Sequence, residues 1–193
     1  MPLELPTSPG PATLKPRLLT ARNDLRPAFG GQTQRLGRLG SKWAVDVTLP
    51  AMTNAQSLAW SDLFEEVDRV VLALPQPGID VGAPRAPLVA GGSQTGAALL
   101  VDGVTDGYVL GKGRWISVIT SDQRYLYQVR ATVTFTGGSA SVPIRPFLRV
   151  SPSDNDVVEI AAPKIEGFVS FEHPGVGPDQ LVQGLSFTIE ERR

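Results

Sequence analysis

The sequence contains no cysteine and a single histidine, His173, among its 193 residues. Without thiols there can be no disulfide, no thiolate metal site and no cysteine nucleophile, a composition that fits a reducing compartment. One imidazole cannot build the usual histidine metal centre, and a nucleophilic triad would have to recruit that one base. Long hydrophobic runs are missing as well. VVLAL, from Val70 to Leu74, falls far short of the ~20 apolar residues a membrane helix needs. The stretch MPLELPTSPGPATLKPRLL lacks the apolar core of a signal peptide, so a soluble protein made inside a cell is expected. Charge of one sign is not in excess either. A formal net charge of -1 argues against free nucleic acid or a membrane as the main partner.

What the chain does have is turn chemistry. Twenty glycines and 17 prolines punctuate short apolar segments, the pattern of many short strands joined by tight turns. The expected class is mainly β, a sandwich or barrel. Strands are read at Trp43–Leu49, Arg69–Leu74, Ala97–Val101, Trp115–Thr120, Tyr125–Val133, Ser141–Ile144, Val157–Ile160, Gly167–Glu172 and Leu185–Glu190. The turn signals Asp102-Gly103, Asp106-Gly107 and Gly137-Gly138 separate several of them. One segment changes period. After Pro50, Leu58, Trp60, Leu63, Phe64 and Val67 take helical spacing, with Thr53 or Asn54 as N-cap and a helix reaching about residue 68. Trp60 and Phe64 are expected to pack on the sheet that holds Val45 and Val47, with Glu65, Glu66 and Asp68 towards water.

PQPGIDVGAPRAP (75–87) reads as a linker, and Ala161-Ala162-Pro163 as its counterpart farther on. The division that follows is 1–87 for the first part of a sandwich domain, including an extended arm 1–17; 88–160 for an inserted small β-barrel lobe; and 161–193 for strands completing the first domain. Charge is uneven. Residues 1–42 hold Lys15, Arg17, Arg22, Arg26, Arg35, Arg38 and Lys42 against Glu4 and Asp24, whereas the segment after Val150 is rich in Asp and Glu. Two readings fit: head-to-tail steering between subunits, or pairing of both ends inside one subunit.

No catalytic constellation emerges. His173 sits in FEHPGVG, a turn, and no serine lies in a G-x-S-x-G elbow. Gly111-Lys112-Gly113-Arg114 lacks phosphate-loop spacing and precedes a strand, so it reads as a basic turn. Asp154 and Asp156 in SPSDNDVVE lack the central glycine and distal glutamate of a calcium loop and read as a solvated turn. Tyr108, Trp115, Tyr125 and Tyr127 could offer stacking faces for a carbohydrate or receptor, an alternative to a core role. The expectation is a non-enzymatic chain with no catalytic, cofactor or metal site.

Two stretches carry a family resemblance. QRLGRLGSKWAVDVTLPAMTNAQSLAWSDLFEEVDR resembles the strand, proline bend and amphipathic helix of distal tail proteins of long-tailed (siphovirus-like) bacteriophages. LGKGRWISVITSDQRYLYQVRATVTFTGGSASVPIRPFLRVSPSDNDVVEIAAP is similar to the barrel insert of that family, in which a Gly-rich turn enters a strand and a P-x-L-R stretch precedes an acidic turn. The long Pro-rich start departs from the pattern, as does Ser121–Arg124, which reads as a lengthened hairpin. The resemblance implies a tail-tip (baseplate) structural subunit, a β-sandwich that forms a ring, usually a homohexamer, with the insert pointing outward. It implies as partners other copies of the chain, the tail tube protein, the tape-measure protein and the baseplate hub, and as location the virion tail tip, assembled in the host cytoplasm.

Overall fold

The computed structural model describes residues 2–192 except 26, 27, 33, 38, 39, 68, 77, 79, 173, 174 and 177–180. Its strands in chain order are β1 (Leu3–Glu4), β2 (Thr13–Leu19), β3 (Arg22–Leu25), β4 (Gln34–Gly37), β5 (Lys42–Thr48), β6 (Arg69–Ala73), β7 (Leu88–Val89), β8 (Ala98–Asp102), β9 (Val109–Leu110) and β10 (Trp115–Thr120). They continue with β11 (Gln123–Val129), β12 (Val133–Thr134), β13 (Ala140–Arg145), β14 (Val157–Glu159), β15 (Lys164–Glu172), β16 (Gly175–Val176), β17 (Val182–Gln183) and β18 (Ser186–Glu191). The helix α1 (Asn54–Glu66) lies between β5 and β6. The chain is mainly β, with this helix and a closed six-stranded barrel.

The first sheet runs β1-β6-β15-β18-β5-β2. Along β5 and β18 the alternation puts Trp43, Val45, Val47, Phe187 and Ile189 into one core, while Asp46, Thr188, Glu190 and Lys42 form polar pairs on the other face. Helix α1 covers one end of the apolar face. Thr53 is its N-cap: Gln56 N–H donates to Thr53 Oγ1 at 3.4 Å and Gln56 Oε1 accepts from Thr53 N–H at 3.0 Å, a capping box. Trp60 and Phe64 are buried against Phe187 and Phe171, with ring centroids 4.8–5.8 Å apart in three of these pairs. Leu58 does not share that face. It lies about 140° round the helix from the Trp60–Phe64 direction and is 49% exposed.

The barrel closes in the order β10-β11-β13-β8-β7-β14 and encloses Leu99, Val101, Ile116, Tyr127, Phe135 and Ile144. Its strands all fall between β6 and β15, which are themselves adjacent and antiparallel in the first sheet. Where the chain leaves and returns, Leu74 N–H donates to the Pro163 carbonyl at 2.8 Å. The Pro-rich segment between is pinned along the barrel: Thr105 Oγ1 donates to Ala83 O, Tyr108 OH to Val81 O, and Arg114 Nη2 to Asp80 O.

Two expectations are corrected. Residues 1–17 are not a free arm. Leu3–Glu4 pairs parallel with β6, and Thr13–Leu19 pairs antiparallel with β5 at the opposite edge. The physical reason is the apolar alternation of Leu14, Pro16 and Leu18, with Leu5 buried in the core and a proline tolerated in an edge strand. Second, the run Tyr125–Val133 is not one strand. It stops at Val129 and resumes as Val133–Thr134 on β9, because β9 offers the next free ladder. Ser121–Arg124 forms the tip of the β10–β11 hairpin. Ser121 and Asp122 both take positive φ (50° and 58°) in a two-residue turn, and Thr120 pairs directly with Gln123.

Candidate functional site

The residues singled out in the sequence do not converge. The glycine-rich 111–114 turn uses Arg114 internally, its Nη1 donating to Tyr108 OH at 3.0 Å. Asp154 Oδ1 accepts the Gly91 N–H at 2.7 Å, and Asp156 Oδ2 accepts from Thr120 Oγ1 and from Ser153 N–H, so this turn braces the barrel. Tyr127 is fully buried, Tyr125 is buried with the Arg149 guanidinium 5.1 Å above its ring, and Trp115 meets Trp43 edge-on at 4.7 Å. Tyr108 packs against Phe135. These four do not form an exposed stacking platform. His173 lies outside the described residues. Among the described residues, no three of His, Cys, Asp or Glu group closely enough to hold a metal ion, and no helix is long and apolar enough to cross a membrane.

The polar chemistry gathers instead where the barrel meets the end of the first sheet. Strand β11 pairs with β13 only at Gln128 and Val129, which leaves backbone groups nearer its start to find partners elsewhere. Two carboxylates from the first sheet take them. Glu191 accepts from Leu126 N–H at 2.6 Å through Oε1 and from Trp43 N–H at 2.5 Å through Oε2. Glu166 accepts from Arg124 N–H at 3.1 Å and from Arg69 Nη2 at 2.6 Å. Both carboxylates are about 1% exposed. Arg149 from the barrel completes the first, its Nη2 lying 2.5 Å from Glu191 Oε1. Burial pushes the Glu191 carboxyl above its usual range, against the pull of Arg149 and the two N–H donors.

Further hydrogen bonds complete the junction. Ser117 Oγ donates to Glu159 at 2.6 Å and accepts from Lys164 N–H at 3.0 Å, and Gln76 Oε1 accepts from Trp115 N–H at 3.1 Å. Leu126 enters the same apolar cluster as Val45 and Ile189, and Trp115 packs against that cluster. The arrangement sets the orientation of one lobe on the other.

Glu191 and Glu166 went unnoticed in the sequence reading, and one of them had a signal. Leu185, Phe187 and Ile189 set an inward parity that reaches Glu191 one step later, a charged residue at a core position. Charge asymmetry between the chain ends is answered within the subunit in part by Lys42, which meets Glu190 at 2.6 Å; Lys164 Nζ also meets Glu4 at 2.5 Å, and Arg17 meets Asp46 at 3.1 Å. Lys164 holds the Glu4 carboxyl below its ordinary value. Comparison with known proteins adds no relative: neither a protein-family model nor a curated protein sequence matches this chain.

Proposed function

We propose that the chain is a structural, non-catalytic subunit of the tail tip of a long-tailed bacteriophage. In this reading copies of it form a ring, a hexamer as in the family it resembles, that links the tail tube and tape-measure protein to the central hub. Its place is the virion tail tip, after assembly in the host cytoplasm. The observation that carries the reading is the way the barrel is mounted. It is inserted between neighbouring strands and held at the end of the first sheet by buried carboxylates, while β1 and β2 are the edge strands of that sheet among the described residues. Such a sheet retains edges for contact between copies while the barrel projects. The carbohydrate-binding alternative draws no support from Tyr108, Trp115, Tyr125 and Tyr127, whose faces or hydroxyls are engaged internally.

The test is the mass of the full chain in solution by light scattering and native mass spectrometry, followed by imaging of phage particles that carry a tagged copy. A closed oligomer and a tag at the far end of the tail are expected. A chain that stays monomeric at every concentration, or a tag elsewhere on the particle, overturns the reading.

A further inference from the structure

A cleft of about 460 Å³ opens where the tip of the β10–β11 hairpin meets the first sheet. The barrel lines it with Ile119, Asp122 and Arg124; the sheet lines it with Arg69, at the start of β6, and Arg192, just past the end of β18. Among the described residues, Asp122 is the one acidic group on this lining, against three arginines. Three guanidiniums and one carboxylate leave a surplus of two positive charges, in a chain whose formal net charge is -1. A concave wall of one sign focuses the field of its charges and draws counter-ions.

The acidic partners of these arginines do not lie on that wall. Arg69 Nη2 is 2.6 Å from Glu166 Oε1, and Arg124 Nε is 3.2 Å from Glu159 Oε2. The two carboxylates are 1% and 17% exposed, and neither lines the cleft. Glu166 also takes the Arg124 backbone N–H, so one buried group serves both arginines. A guanidinium carries five N–H donors, and here acceptors run short. Arg69 Nε is buried with no hydrogen-bond partner. Arg192 is exposed, and among the described residues its guanidinium makes no hydrogen bond or ion pair. Its charge still acts across the junction: burial raises the Tyr125 hydroxyl, and Arg149 and Arg192 pull it back.

Charge and shape select the anion. A carboxylate offers two oxygens in one plane and a single negative charge, enough for one guanidinium fork. A phosphate monoester carries about −1.5 to −2 charge at pH 7 and three strong acceptor oxygens, which matches the surplus and serves arginines from several sides. The cleft volume falls within the roughly 300–1,000 Å³ of small-molecule sites, leaving room for the group that bears the phosphate.

We propose that this cleft binds a phosphate monoester group, held by Arg69 and Arg192 from the sheet and by Arg124 from the barrel. Such a ligand touches both lobes and clamps the barrel on the sheet beside the Glu191 and Glu166 contacts. The inference is independent of the ring reading, since one copy of the chain holds all three arginines.

The test titrates the full chain with phenyl phosphate by calorimetry, at constant ionic strength in phosphate-free buffer, with malonate as a planar-carboxylate dianion for comparison. One saturable site per chain is expected. Arg192→Gln, which removes a side chain with no partner of its own, should weaken binding by about tenfold. Asp122→Asn removes the opposing carboxylate and should tighten binding by about threefold. Going from about pH 7.5 to about pH 5 should weaken phenyl phosphate binding, because its second proton binds near pH 6 while the arginines keep their charge. The melting temperature of the wild type should rise more with phenyl phosphate than that of Arg192→Gln, whereas a general salt effect moves both alike. Absence of saturable binding, equal binding by wild type and Arg192→Gln, or malonate binding as tight as phenyl phosphate overturns the inference. If circular dichroism shows Arg192→Gln misfolded, Asp122→Asn and the pH profile decide, and no change in either overturns it.

Discussion

Glu191, at the end of the last strand, accepts the backbone N–H of Leu126 in the middle of barrel strand β11 at 2.6 Å. The same carboxylate takes Trp43 N–H and the Arg149 guanidinium, so three segments far apart in the chain meet on one side chain. Replacing Glu191 with Ala would leave two buried N–H groups unpaired and a guanidinium without its counter-charge. The expected loss is about 3–5 kcal/mol. Glu191→Gln, which keeps one accepting oxygen, should lose less. Denaturant unfolding of both variants measures this, and a loss below about 1 kcal/mol for the alanine variant would remove the carboxylate from its bridging role.

The helix supplies a paired comparison. Phe64 is buried against Phe171 and Phe187, so Phe64→Ala should cost about 3–5 kcal/mol. Leu58, on the outer side, should cost little when changed to Ala in the monomer. Equal losses at the two positions would mean that the helix is rotated relative to the arrangement described above.

All three tyrosines are held above their ordinary pKa by burial, Tyr127 up to about 12. A folded-state value above the unfolded one means that the neutral phenol supports the fold up to the ordinary value near 10. That support is lost as pH rises towards 12. Absorbance titration should therefore show less phenolate near pH 10 than three free tyrosines would give, with Tyr127 ionising last, together with alkaline unfolding. A free titration near 10 for all three, with the fold intact, contradicts the burial.

Removal of residues 1–17 should destabilise the monomer itself. It deletes β1, most of β2 and the buried Leu5, and it uncovers the β5 edge beside Val45 and Val47. The melting temperature of a chain starting at Leu18 should fall well below that of the full chain. An unchanged melting temperature would make those strands dispensable.

Gly167 sits where β15 passes β18, and a Cβ there would lie 2.1 Å from the Glu190 carbonyl oxygen. Gly167→Ala should force the two strands apart and cost roughly 2–4 kcal/mol, more than the 1–3 typical of core overpacking, because the obstacle is backbone. A neutral result in thermal unfolding would show that the strands relax at no cost.

Local order was written in local residues. The alternation of Trp43, Val45 and Val47, the change of period after Pro50, and the Thr53/Gln56 capping pair each act within a few positions, so the strand, the turn and the helix were legible without any partner. The Gly137-Gly138 turn was legible for the same reason. The tertiary structure decided what local spacing leaves free. Nothing in Arg130-Ala131-Thr132 marks a break; the strand stops at Val129 because β9, distant in sequence, takes Val133 and Thr134. The Pro-rich start looked extended and became two edge strands only because β6 and β5 had open ladders to offer. His173 lies outside the described residues and takes no part in this comparison. Glu191 and Glu166 are the sharpest case. A carboxylate is read as a surface group until a strand with unpaired N–H groups is brought against it, and only the packing of the barrel on the sheet supplies that strand.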